Sequence, residues 1–161
     1  MRIEFEFENE FEVTARMEGL TPSILHEIAI SIDVLTPELG AFIVEQKLSG
    51  QVLNKITGKL QESIKPQPVV QASDAIVGEV LQDNSIADYG RVHEWGADIP
   101  TRQGNPMRWI GQEGEPVFRF MAKGFTLPER SFMRSALEDF APRIEDVLLL
   151  AIAKGIGESN V

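Results

Sequence analysis

The chain has no cysteine and only two histidines among its 161 residues. Without thiols there is neither a disulfide framework nor thiolate chemistry, so burial and hydrogen bonding alone must hold the fold. A reducing interior such as a cytosol suits it. Cations are scarce as well: fifteen Lys plus Arg face twenty-five Asp plus Glu, a formal charge of -10. That balance repels a phosphate backbone unless the basic residues cluster, which argues against sequence-specific nucleic-acid binding. Uncharged apolar runs of membrane-spanning length are missing, so a soluble protein is expected. The opening M-R-I-E-F-E-F-E alternates charge with apolar residues and cannot be a secretory h-region. Internal repeats, low-complexity tracts and interdomain linkers are also missing. What is present is 43% hydrophobic content, enough for one core and too little for two, so residues 1–161 are expected to form one domain.

The pattern along the chain predicts an α+β fold, a mixed or antiparallel sheet packed against two or three helices. Ile3, Phe5 and Phe7 alternate with Arg2, Glu4, Glu6 and Glu8, the period of a half-buried strand whose acidic face discourages edge pairing. Phe11, Val13, Ala15 and Met17 continue the alternation as a hairpin partner or as the start of a helix. Thr21-Pro22 reads as a cap and first-turn proline, with Ile24, Leu25, Ile28 and Ile32 at helical spacing behind it. Thr36-Pro37-Glu38 repeats that signal. A second, long helix is therefore expected through Leu39, Phe42, Ile43, Val52, Leu53, Ile56, Leu60 and Ile64, bent at Ser49-Gly50. Gly58 within it marks either a close neighbour or a helix boundary. Pro66 and Pro68 should end the run. Strands are expected near Val69 to Ser73 and Ala75 to Gln82, turning at Ser73-Asp74.

Asp83-Asn84-Ser85 then caps a short helical turn holding Ile86, Tyr89, Val92 and His93, stopped by Gly96. Residues 97–128 read as a loop and hairpin insertion punctuated by Pro100, Gly104, Pro106, Gly111, Gly114, Gly124 and Pro128. Its strands are expected at Met107 to Ile110 and Val117 to Met121, around a turn at Gln112 to Glu115. From Glu129 a long C-terminal helix carries Phe132, Met133, Ala136, Leu137, Phe140, Ile144, Val147, Leu148, Ala151 and Ile152 in one broad stripe. Pro142 should kink or restart it, and Gly155 and Gly157 should close it before a mobile tail at 156–161.

Catalytic patterns are weak. His93-Glu94 offers two metal-ligand types, but a helical zinc site wants a second His four residues on, where Ala97 stands, and His26 is remote in sequence. A small metal-dependent hydrolase built on that pair is thus the minor reading. A His bonded locally or facing a neighbour is the stronger one, and no cofactor or metal is expected. The insertion glycines make no phosphate cradle. Arg102, Arg108, Arg119 and Lys123 interleave with Trp109, Phe118 and Phe120. Phe118 and Phe120 share a strand face as core residues do, which favours packing over base stacking. Trp95 and Trp109, flanked by Glu, Gly and Arg, are either core or interface anchors.

Three blocks carry a resemblance. I-T-G-K-L-Q-E-S-I, from Ile56 to Ile64, is similar to a T-G-x-L-x-x-S-I pattern. D-Y-G-R-V-H-E-W-G, from Asp88 to Gly96, is similar to a block in which Tyr is followed by a small residue, an aromatic or His-acid pair, then Gly. L-P-E-R-S-F-M-R-S-A-L, from Leu127 to Leu137, is similar to I-P-x-R-P-F-L at the opening of a last helix, with Ser131 where proline is usual. In this order the blocks resemble the tail-completion or head-tail joining proteins of tailed bacteriophages, including the Mu-type virion morphogenesis and related minor tail proteins. The acidic N-terminal strand lies outside the shared pattern.

The resemblance implies a non-enzymatic structural subunit of the virion neck or upper tail. It implies a ring, sixfold by expectation, that meets neck, tail-terminator or tail-tube proteins and lets DNA pass without sequence-specific binding. Such a protein would be found in the virion, and in the host cytoplasm during assembly, without membrane contact. The expected contact residues are Tyr89, His93, Glu94, Trp95, Arg102, Trp109, Arg130 and Phe132, the last of which also suits the core. The alternatives are a tail-terminator or other tail-tube ring protein and, from other classes, the hydrolase or a cytosolic ligand-binding domain.

Overall fold

The computed structural model describes residues 2–8, 10–16, 22–53, 57–72, 75–99, 107–110, 116–119 and 124–158. The period-two segment at its start forms a hairpin of β1 (Arg2–Glu8) and β2 (Glu10–Arg16), in register from Arg2↔Arg16 to Glu8↔Glu10. The helical alternative for the second strand does not arise. β2 pairs with the central strand β5 (Ala75–Gln82), whose other side holds β3 (Ile64–Pro66) and β4 (Val70–Gln71), and every pairing is antiparallel. β3 and β4 share one edge of β5, interrupted where Gln67 N donates to Glu79 O (2.8 Å) and Pro68 has no N–H to give.

One face of this sheet is covered. Ile76 and Val80 of β5 are buried, and between them Gly78 lets α1 (Pro22–Phe42) lie directly on the strand. A Cβ at Gly78 would stand 2.2 Å from Thr36 Oγ1 and 2.6 Å from Ile32 Cγ2. Thr36-Pro37 therefore does not start a second helix. The Thr36 hydroxyl donates back to Ile32 O (2.8 Å) and α1 runs through Pro37. A mid-helix proline costs about 3 kcal/mol. Burial of Ile24, Ile28, Ile32, Leu35 and Leu39 on one unbroken stripe, at roughly 1.5–3 kcal/mol each, outweighs it.

α1 passes into a wider, π-wound segment, Ile43–Gln51, which kinks at Ser49-Gly50 (Gly50 φ 120), where a bend was expected, and is capped at Val52. Residues 54–56 of the expected long second helix lie outside the described set, and beyond them the helix is a single turn, α2 (Lys59–Glu62). Gly58, at φ 79 just before α2, marks a helix boundary. The helical run ends at Ser63, ahead of the prolines, because Ile64 already pairs with Gln82 as edge strand. The expected strand at Val69 to Ser73 shortens to β4, and the Ser73-Asp74 turn lies outside the described residues.

The long helix α4 (Met133–Glu158) packs antiparallel on α1. Glu27–Lys154 (2.8 Å), Glu38–Arg143 (3.5 Å) and Lys47–Asp139 (2.6 Å) mark the shared line, and the Phe42 and Phe140 rings meet at 5.4 Å. α4 starts at Met133, not Glu129, and neither Pro142 nor the two glycines interrupt it. Gly155 is a contact point: a Cβ there would be 2.6 Å from Ile24 Cα. The residues expected as a tail from 156 are helical to Glu158, and 159–161 lie outside the described set.

Between sheet and α4, the turn at 84–86 leads to α3 (Gly90–Trp95). β6 (Ala97–Ile99) and β9 (Phe125–Leu127) pair to close the base of the insertion. Inside it β7 (Met107–Ile110) and β8 (Pro116–Arg119) form the expected hairpin, the second strand starting one residue early. Its turn, at Gln112 to Glu115, lies outside the described residues. No helix among the described residues is long and apolar enough to cross a membrane.

Candidate functional site

The two segments that bracket the insertion, 88–96 and 129–137, meet at one joint. Its approach is built locally. Asp83 Oδ1 accepts from Ser85 N (2.8 Å) and Ser85 Oγ (2.6 Å), which holds its carboxyl below the usual range, and Asp83 O accepts from Ile86 N and Ala87 N. Gln82 Nε2 donates to Ala87 O (2.7 Å) and to Ser63 Oγ (3.4 Å), while Asp83 N donates to Ser63 O (2.7 Å). The end of β5, the α2 turn and the start of α3 are thereby tied together. At the far end of α3, Gly96 turns the chain at φ 70, where a Cβ would press to 2.9 Å on both Glu129 N and Leu127 O. Only glycine meets both demands.

The joint closes through Glu94. The residue before α4 is Phe132, which cannot cap, so the first amides of the helix lack a local acceptor. Glu94, 5% exposed, supplies one from a distance of 38 residues along the chain. Its Oε2 accepts from Phe132 N (2.8 Å) and Met133 N (3.0 Å), and its Oε1 from Arg134 N (3.1 Å) and Arg134 Nε (3.2 Å). A carboxylate has about four lone-pair positions, and four donors fill them. The negative charge also sits at the positive end of the α4 dipole. Such a carboxylate has no position left for a metal or for a substrate proton.

Arg134 completes the arrangement. Its guanidinium reaches Glu94 O (3.1 Å) and Glu129, and lies over the Trp95 ring at 4.1 Å from the centroid. Burial would lower its pKa, but the bonds to Glu129 and Glu94 prevail and raise it, so the cation is secure. Arg130 N donates to His93 O (2.8 Å). The half-buried His93 ring stands edge-on to Tyr89 at 5.8 Å, and its Nδ1 has no hydrogen-bond partner among the described residues. Desolvation first, and the charge of Arg130 second, push its pKa below 6.5.

The expected contact residues therefore separate by depth. Tyr89 and Trp95 (37% and 43% exposed) and Arg130 form the surface of the joint, whereas Phe132 and Glu94 are buried beneath it and His93 lies between. Phe132, fully buried, is a core residue. Trp109 falls on β7, and Arg102 lies outside the described residues. Arg134, Arg91 and Gln82 were not singled out by the sequence. Arg134 acts across two loops and has no local signature. Beside Trp95 a cleft of about 50 Å³, lined by Gln82, Asn84, Arg91 and Trp95, has room for a few waters rather than a metabolite. No group of three His, Asp, Glu or Cys among the described residues is arranged to hold a metal.

Compared with family models, curated proteins and solved structures, the chain matches none.

Proposed function

We propose that this protein is a structural subunit of a tailed-phage virion neck or upper tail, which completes the tail or joins it to the head as part of a ring. One observation carries the reading. Of the three blocks on which the resemblance rests, the second and third meet directly, Glu94 accepting from Phe132, Met133 and Arg134, and the first is tied to the second through intervening residues: Gln82 bonds Ser63 and Ala87 O, which also accepts from Gly90 N. Residues shared for the sake of one rigid joint are what a contact scaffold requires. In this reading the function is geometric. The interior of the joint fixes the angle between α3 and α4, and the surface residues Tyr89, Arg91, Trp95 and Arg130 meet a neighbouring copy or the next ring. Exposed aromatic and arginine residues over a rigid base have the composition of interface hot spots. The net charge of -10 gives a channel lining that does not hold DNA.

Native mass measurement with electron microscopy of the purified chain tests the proposal. The expected result is a closed ring of about six copies, reduced by Tyr89→Ala with Trp95→Ala to a folded monomer. A chain that stays monomeric at every concentration, or a ring indifferent to both substitutions, contradicts it.

A further inference from the structure

One side of the α1–α4 pair carries two matched rows. On α1, Glu27, Ile30, Val34 and Glu38 follow one another at steps of three or four, and on α4 so do Arg143, Val147, Leu150 and Lys154. Residues at those steps are neighbours on one side of a helix. The charged ends of the rows pair across the seam, Glu27 with Lys154 (2.8 Å) and Glu38 with Arg143 (3.5 Å), so the rows lie side by side and the stretch between the two ion pairs is apolar. It is not sealed. Ile30, Val34 and Leu150 are 47%, 50% and 69% exposed. Large aliphatic side chains at adjoining positions, framed by ion pairs, have the anatomy of an interface with an apolar centre and a polar rim.

A second copy of the chain supplies a matching surface. The joint exposes Tyr89 and Trp95 together with Arg91 and Arg130, while Glu129 there is taken up by Arg134, which leaves Asp88 against two arginines. The patch has the opposite character: it is aliphatic, and exposed Asp33 and Asp146 border it, three residues from Ile30 and four from Leu150. Two joints set face to face bring arginine against arginine, and two patches bring aspartate against aspartate. Joint on patch sets aromatic rings on aliphatic side chains and guanidinium groups beside carboxylates. The two surfaces are also well separated, since α4 rises about 20–25 Å from Met133 at the joint to Val147 and Leu150 in the patch. Contact between unlike surfaces of identical chains runs head to tail and repeats until the rotation closes a ring. We propose that the aliphatic patch between the Glu27–Lys154 and Glu38–Arg143 pairs is the surface on which the Tyr89 and Trp95 joint of the next copy docks. The inference rests on the ring reading above and names the surface that receives the joint.

Complementary variants of the full chain test it. Val34→Glu with Leu150→Glu spoils the patch and leaves the joint, whereas Tyr89→Ala with Trp95→Ala spoils the joint and leaves the patch. All four positions are exposed, so circular dichroism should show both variants folded. Asp33→Arg with Asp146→Arg, on the border of the same patch, takes the place of the glutamate variant wherever that one unfolds. Native mass measurement is expected to find a ring for the unaltered chain and a monomer for each variant alone. On mixing the two variants it should find a one-to-one heterodimer that grows no further, because one sound joint and one sound patch remain between them. A ring that forms as well with the patch variant as without it overturns the inference and leaves the ring reading standing. So does a mixture that stays monomeric although the unaltered chain assembles. Open chains of variable length, abolished by the patch variant, uphold the docking and overturn the closed ring. An unaltered chain that is monomeric at every concentration overturns both.

Discussion

At the α3–α4 joint each charge meets its opposite: Glu94 is filled by three amides and a guanidinium, and Arg134 is shared between two glutamates and a tryptophan face. Across the β1–β2–β5 sheet the strands are joined by main-chain pairing, every strand antiparallel to its neighbour, and α1 lies on β5 at Gly78 between the buried Ile76 and Val80. The joint is held by one carboxylate and the donors around it, the sheet by backbone bonds and apolar burial. The difference gives the two regions different sensitivities: the joint to the loss of a single charge, the sheet to the loss of packing.

The largest effect expected is from removing Glu94. Glu94→Ala leaves a buried set of donors without an acceptor, and breaking a buried ion pair typically costs about 3–5 kcal/mol. Urea denaturation should show that loss, with α3 and the start of α4 loosening together. A change below 1 kcal/mol would erase the contrast between the regions. Next comes Gly96→Ala, expected to cost about 1–3 kcal/mol because a left-handed turn and two backbone contacts both resist a Cβ. A neutral result would mean that the loop after α3 can move without disturbing α4.

The smallest effect concerns His93. Its folded pKa lies below its unfolded value near 6.5, so nothing is lost above that pH. As pH falls through 6.5 the unfolded chain takes up a proton that the folded one resists, and stability declines until the folded value is passed. His93→Gln should flatten this slope in a stability profile between pH 7 and pH 5.

Much of the fold could be read from one-dimensional pattern. β1, β5, the insertion hairpin and the stripe of α4 each announce themselves by a period of two or of helical spacing, and in β5 and α4 one face is buried. Local signals fail where contacts at long range outvote them. Thr36-Pro37 has the residues of a helix start, but the stripe from Ile24 to Leu39 holds the helix together across it. Gly155 looks like a helix stop and is in fact where α4 touches Ile24. The site was legible in outline, since 88–96 and 129–137 could be picked out as a pair by composition. The role of Glu94 could not be, because a cap supplied from 38 residues away leaves no spacing to read.

The claim that everything else leans on is that Glu94 locks the first turn of α4 to α3, and amide hydrogen exchange reads it most directly. First-turn amides of a helix have no intrahelical partner and ordinarily exchange fast. In the unaltered chain the amides of Phe132, Met133 and Arg134 should exchange as slowly as the middle of α4, and in Glu94→Ala they alone should become fast. Rapid exchange at those three amides in the unaltered chain would contradict the account.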